Sequence, residues 1–172
     1  MRRIVVGMGL VAVIIALGSF STGTLPPRND SSRSALTSLG QEYGDLQEWA
    51  TAIAITTDTL PAANAERARV LADQLARLMR PLETDFARTT ASLSTAQLET
   101  ILPLWERMAF AHAGFVLLQE QATALGGDPS LEPAELHQLA AELSAVLDFA
   151  AEIQRMALTK LTTPPPTPIR II

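Results

Sequence analysis

Residues Ser94 to Leu125, STAQLETILPLWERMAFAHAGFVLLQEQATAL, carry the longest helical pattern in the soluble part of the chain. Steps of three then four from Leu98 give Ile101, Trp105, Met108, His112, Phe115, Gln119 and Ala122, the repeat of a helix whose single stripe packs on other helices. Phe110, Leu117 and Leu118 fall off that stripe. The reading therefore predicts a helix that is apolar over most of its circumference and the most enclosed of its group.

The same spacing recurs three more times. From Leu36 it picks out Leu39, Tyr43, Leu46, Ala50, Ile53, Thr57 and Leu60, and a second stripe runs Ala68, Leu71, Leu75, Leu78, Leu82 and then Asp85 or Phe86. The last is Leu136, Leu139, Leu143, Val146, Ala150, Ile153 and Ala157, with Glu135, His137, Glu142, Asp148 and Glu152 on its outer side. Gly40 and Gly44 interrupt the first helix at roughly 1 kcal/mol each against alanine, unless they admit a neighbour.

Breaks separate these segments. Pro61 ends the first or starts the next, and Asn64 is a candidate N-cap for the second. The second stripe continues in register through Pro81, which predicts a kink there rather than a stop. Ser94 with Gln97 has the form of a capping box. Gly126, Gly127, Asp128 and Pro129 read as a glycine C-cap and turn, and Pro133 suits the first position of the last helix. Pro81 and Pro103 lie at similar distances from the loop between their helices, so two antiparallel neighbours are expected to bend at one level. The expected fold is all-α: an antiparallel up-down four-helix bundle over residues 34–162, without strands.

Both ends of the chain differ from this body. Residues 1–24 begin with Arg2 and Arg3 and continue into an uncharged apolar run from Ile4 to Leu17. This fits a secretory signal with small residues at Ala16 and Gly18, or a retained anchor whose apolar length, extended to Leu25, approaches the ~20 residues of a bilayer span. We read it as a single transmembrane helix with the arginines cytoplasmic and the bundle on the far side. In a bacterium that places the anchor in the inner membrane and the bundle in the periplasm. A cleaved leader would instead leave the bundle free in the periplasm. Residues 25–33 read as a linker, and 163–172 as a proline-rich extended tail.

Composition narrows the function. With no cysteine, the 172-residue chain has no disulfide, thiolate metal site or cysteine nucleophile. Of its 13 basic residues two, Arg2 and Arg3, precede the apolar run, and the remaining 11 face 18 acidic ones, a net −7 that opposes nucleic-acid binding.

The search for chemistry centres on His112, an imidazole on an apolar stripe that needs a partner such as Gln119, Tyr43, a backbone carbonyl or water. A haem-ligating role would need a methionine opposite, but Met108 shares its helix and Met79 and Met156 sit on stripe flanks. A di-iron centre would need Glu three residues before each histidine, where Ala109 and Ala134 stand. No nucleophile with a base, paired buried carboxylates or glycine-rich phosphate loop was found, so no cofactor and no catalysis are expected.

Two weak binding signals lie at the ends. Gly7, Gly9, Ala12 and Ala16 suit packing against another transmembrane helix. Pro164, Pro165, Pro166, Pro168, Ile169, Ile171 and Ile172 could lie along a partner's groove. The resulting expectation is a non-catalytic, membrane-anchored accessory subunit held by other membrane-protein subunits and the lipid bilayer, of the kind common in respiratory and photosynthetic assemblies. The alternative is a periplasmic binding or sensor module holding haem or a small ligand near His112.

Overall fold

The computed structural model of the chain describes residues 29–61 and 64–162. Among these residues the fold is helical without a strand: α1 (Asn29–Asp58), α2 (Ala65–Met79), α3 (Pro81–Ser92), α4 (Thr95–Gly127) and α5 (Pro133–Thr162). The anchor expected over 1–24 and the tail over 163–172 lie outside the described residues. Of the expected linker, 29–33 is already helical, because α1 begins at Asn29 rather than at residue 34. Ser32, buried in that first stretch, accepts a 2.9 Å hydrogen bond from Gln97 Nε2 of α4.

Pro81 does more than kink its helix. It starts α3 directly after Arg80, so α2 and α3 form one rod interrupted by a single residue that keeps helical dihedrals. Proline supplies no N–H there and needs none at a first helical position. Pro103 lies inside α4, which runs on without interruption to Gly127. The two prolines are not at one level: Trp105, just past Pro103, bonds Thr90 near the end of α3.

Polar rungs give the direction of each helix. α1 and α5 are antiparallel, because Gln154 Nε2 donates to the Leu36 carbonyl (2.7 Å), Gln47 Nε2 to Ser144 Oγ (2.6 Å) and His137 Nδ1 to the Ala54 carbonyl (3.0 Å). The α2–α3 rod is antiparallel to α4: Arg69 Nε donates to the Gly126 carbonyl (3.3 Å) and Trp105 Nε1 to Thr90 Oγ1 (3.1 Å). α1 and α4 share a direction, with Ser32 beside Gln97 and Tyr43 beside Met108.

The stripes of α1, α4 and α5 form the core largely as spaced, with Leu36, Leu39, Tyr43, Ile53, Ile101, Met108, Phe115, Leu136 and Leu143 all buried. α2 is rotated from its expected face. It buries Ala68, Ala72, Leu75, Ala76 and Met79 and turns Leu78 outward, since alanines let this helix approach its neighbours closely. α4 is not the enclosed helix expected: Phe110 is 78% and Leu117 62% exposed, although Leu118 is buried. Its mixed faces explain why α4, alone among the described helices, is long and apolar enough to cross a membrane by length and composition.

Caps agree in part. Ser94 and Gln97 form the expected capping box, Ser94 N donating to Gln97 Oε1 (2.9 Å) and Gln97 N to Ser94 Oγ (3.3 Å). Asn64 stands before α2 but its side chain makes no capping bond. Neither Gly126 nor Gly127 adopts a positive φ, so the glycine C-cap is absent; Asp128 Oδ1 instead accepts from the backbone N–H and hydroxyl of Ser130. A Cβ at Gly126 would stand 3.2 Å from Asp73 Cβ, so this glycine serves close contact with α2.

The two α1 glycines also divide. A Cβ at Gly40 would stand 2.8 Å from the Gln154 amide, whereas one at Gly44 meets nothing within 4 Å. Gly44→Ala should therefore raise stability by about 1 kcal/mol. Gly40→Ala should displace the Gln154 amide from the Leu36 carbonyl and lower stability by about 1 kcal/mol despite its helix propensity. Urea denaturation of both variants tests this, and equal stabilisation by the two would refute the contact.

Candidate functional site

The candidate site is a polar layer where α1, α3 and α4 meet. Heptad spacing puts Tyr43 inward from α1 and both Met108 and His112 inward from α4, one turn apart. α3, restarted at Pro81, brings Phe86 against them. Tyr43 Oη lies 2.6 Å from His112 Nε2 and 3.3 Å from Met108 Sδ. Phe86 stacks on the His112 ring at 4.0 Å between centroids, Phe115 meets it edge-on at 5.2 Å, and Trp105 stacks on the far side of Phe86 at 5.2 Å.

His112 is only 6% exposed. Burial without a nearby anion disfavours imidazolium and lowers its pKa to about 4. The ring is thus neutral at pH 7, and its Nε2 shares a hydrogen bond with the Tyr43 hydroxyl, which also reaches Met108 Sδ. Burial, with the charge of Glu42 adding to it, likewise pushes the phenol up, so Tyr43 remains a donor. Of the partners foreseen for His112, the structure supplies Tyr43; Gln119 is not the one bonded to Nε2. That nitrogen, the one a haem iron would need, is already engaged inside a packed aromatic layer.

A carboxyl pair borders this layer, which the sequence search for paired acids had missed. Glu42, next to Tyr43, interacts across the α1–α3 contact with Asp85, next to Phe86. Burial first and the Asp85 charge second raise the Glu42 pKa, while Arg88, 2.8 Å from Asp85 Oδ1, opposes the rise. A side-chain hydrogen bond between Glu42 and Asp85 adds to the rise, as where two carboxyl groups share one proton, and the buried Oε2 of Glu42 has no further partner. Asp85 and Phe86 had seemed rivals for one stripe position; both face inward, toward different neighbours.

His137 is not on a solvated outer face as expected. It is half-buried and ties α5 to the Ala54 carbonyl of α1, since the α1–α5 groove covers that side of its helix. Among the described residues no three His, Asp or Glu side chains come together in a metal-binding group. A shallow hollow of about 460 Å3, lined by Arg33, Ser34, Thr37, Ser38 and Gln41, lies on the outside of α1 and does not reach His112. Gly7, Gly9, Ala12, Ala16 and the tail positions Pro164, Pro165, Pro166, Pro168, Ile169, Ile171 and Ile172 lie outside the described residues.

No family model matches the chain, and comparison with characterised proteins and with solved structures yields no match either.

Because the folded-state pKa of His112 lies below that of a free imidazole, its contribution to stability is complete above about pH 6.5 and lost as pH falls toward about 4. Glu42, raised instead, contributes in the opposite sense, losing its part as pH rises through its folded-state value. Urea unfolding at pH 7 and pH 4.5 should show His112→Phe losing about 2–3 kcal/mol less on acidification than the parent. Tyr43→Phe should cost about 1–3 kcal/mol at pH 7 by stranding Nε2. An unchanged acid slope in His112→Phe would show that the imidazole is not the titrating group.

Proposed function

We propose that the chain is a non-catalytic accessory subunit of a membrane complex. It is anchored by 1–24, with its helices forming an antiparallel up-down four-helix bundle on the periplasmic side of a bacterial inner membrane. One observation carries this reading: Gln154, near the end of α5, bonds Leu36, near the start of α1, so both ends of the described body lie at one end of the helices. Residues 29 and 162, where the described body meets the leader and the tail, then lie at the same end. A partner gripping the leader within the bilayer is also within reach of the tail.

The interior supports a role by contact. Several of its polar side chains are consumed by one another or by backbone: Tyr43 by His112, Gln154 by Leu36, Trp105 by Thr90. The alternating rungs of α1 with α5 and of α2–α3 with α4 support the up-down order. α4 in this reading is a core helix rather than a span, because Ile101, Trp105, Met108, His112 and Phe115 all point into the protein. Respiratory and photosynthetic assemblies are the expected setting for such a subunit.

Extraction of the native membrane in mild detergent should recover the chain with other membrane subunits and with its leader intact by mass spectrometry. Deleting 163–172 should leave helix content and thermal midpoint unchanged while reducing that co-purification several-fold. A soluble form beginning near Ser19 or Thr24, or a haem absorption band abolished by His112→Ala, would overturn the proposal.

A further inference from the structure

The outward faces of α4 and of the α2–α3 rod each carry a second heptad stripe. On α4 it includes Leu102, Glu106, Phe110, Ala113, Leu117 and Glu120, and every one is exposed. On α2–α3 it includes Arg67, Val70, Gln74, Arg77, Thr84 and Arg88, also all exposed. Spacing that normally buries residues here faces outward. The first stripe is apolar and acidic, extended by Glu99 one turn earlier; the second is apolar and basic. Arg77 and Arg88 have partners within their own rod, Asp73 and Asp85, whereas Glu99, Glu106 and Glu120 make no ion pair among the described residues.

We propose that a second copy of this chain covers this face, the α2–α3 stripe of one copy lying on the α4 stripe of the other about a two-fold axis that runs along the helices. The register between the neighbouring rods carries the geometry. Arg69 lies beside Gly126 and Thr90 beside Trp105, so each step forward on α2–α3 is a step back on α4. In that register Arg88 is level with Glu106, Thr84 with Phe110 and Leu78 with Leu117, each to within about one residue. An axis along the helices preserves level, so these same pairs meet across the dimer. Arginine then faces glutamate, leucine faces leucine, and the exposed Phe110 ring faces the small Thr84.

The other closed arrangement is disfavoured by charge. A two-fold axis across the helices at Ala113 would lay α4 on α4 and α2–α3 on α2–α3, setting Glu106 against Glu120 and Arg77 against Arg88. An axis along the helices also leaves both chains' leaders at the same end, as a shared membrane requires. The pairing itself does not rest on the anchoring reading.

The full chain has no cysteine, so single introduced thiols report unambiguously. Two differently tagged full-length chains in mild detergent, one Thr84→Cys and one Phe110→Cys, should form a mixed disulfide on oxidation when combined, and little dimer when oxidised separately. Sedimentation of the unmodified chain should show a dimer that Glu106→Arg with Glu120→Arg weakens at least about tenfold. Adding Arg77→Glu and Arg88→Glu to that variant should restore it. Efficient cross-linking of Phe110→Cys with itself, a monomeric full chain, or failure of the complete charge swap to recover association would each overturn the proposal. The cysteine pair decides the arrangement even if a charge-reversed chain fails to fold.

Discussion

A single hydrogen bond in the buried centre, between the Tyr43 hydroxyl and Nε2 of His112, constrains where α1 can stand relative to α4. Leucine and alanine stripes of equal spacing tolerate a slip of one heptad, because the same kinds of residue meet again after every two turns. A buried tyrosine and a buried imidazole do not tolerate it. Sliding either helix would leave two polar groups desolvated without partners, at about 1–3 kcal/mol for each.

The remaining rungs extend this control to two pairs of antiparallel neighbours. Gln47 with Ser144, Gln154 with Leu36 and His137 with Ala54 hold α1 to α5 at three heights. Trp105 with Thr90 and Arg69 with Gly126 do the same for α4 and the α2–α3 rod. Apolar burial supplies the drive to pack, and these few polar contacts select one packing among several of similar area. The carboxyl pair of Glu42 and Asp85 is the exception: it adds repulsion at a helix contact, moderated by Arg88.

Much of this was legible from spacing. The stripes of α1, α4 and α5, the capping box at Ser94, Pro133 at the head of α5 and the burial of His112 all follow from local pattern. What escaped depended on neighbours. Leu71 and Leu78 outweigh Ala72 and Ala76 in any count of apolarity, yet the alanines face inward because they allow α2 close in. Gly126 resembled a cap by position, but Asp73 on another helix explains it. Glu42 and Asp85 are 43 positions apart in sequence numbering and meet only once α1 and α3 are packed. The outward apolar stripe of α4 reads as enclosure in the sequence, because hydropathy alone does not say which side a neighbour occupies.

The adjacency of the two ends has a mechanical corollary. On the proposed reading, in which 1–24 is anchored and 163–172 is held by a partner, tension would pull at neighbouring points on α1 and α5, not at opposite ends of the described body. Such loading opens a zipper from the Gln154–Leu36 rung upward, breaking one contact at a time, whereas shear would strain all three rungs together. The same seam that orders the fold would thus be its weakest direction under force.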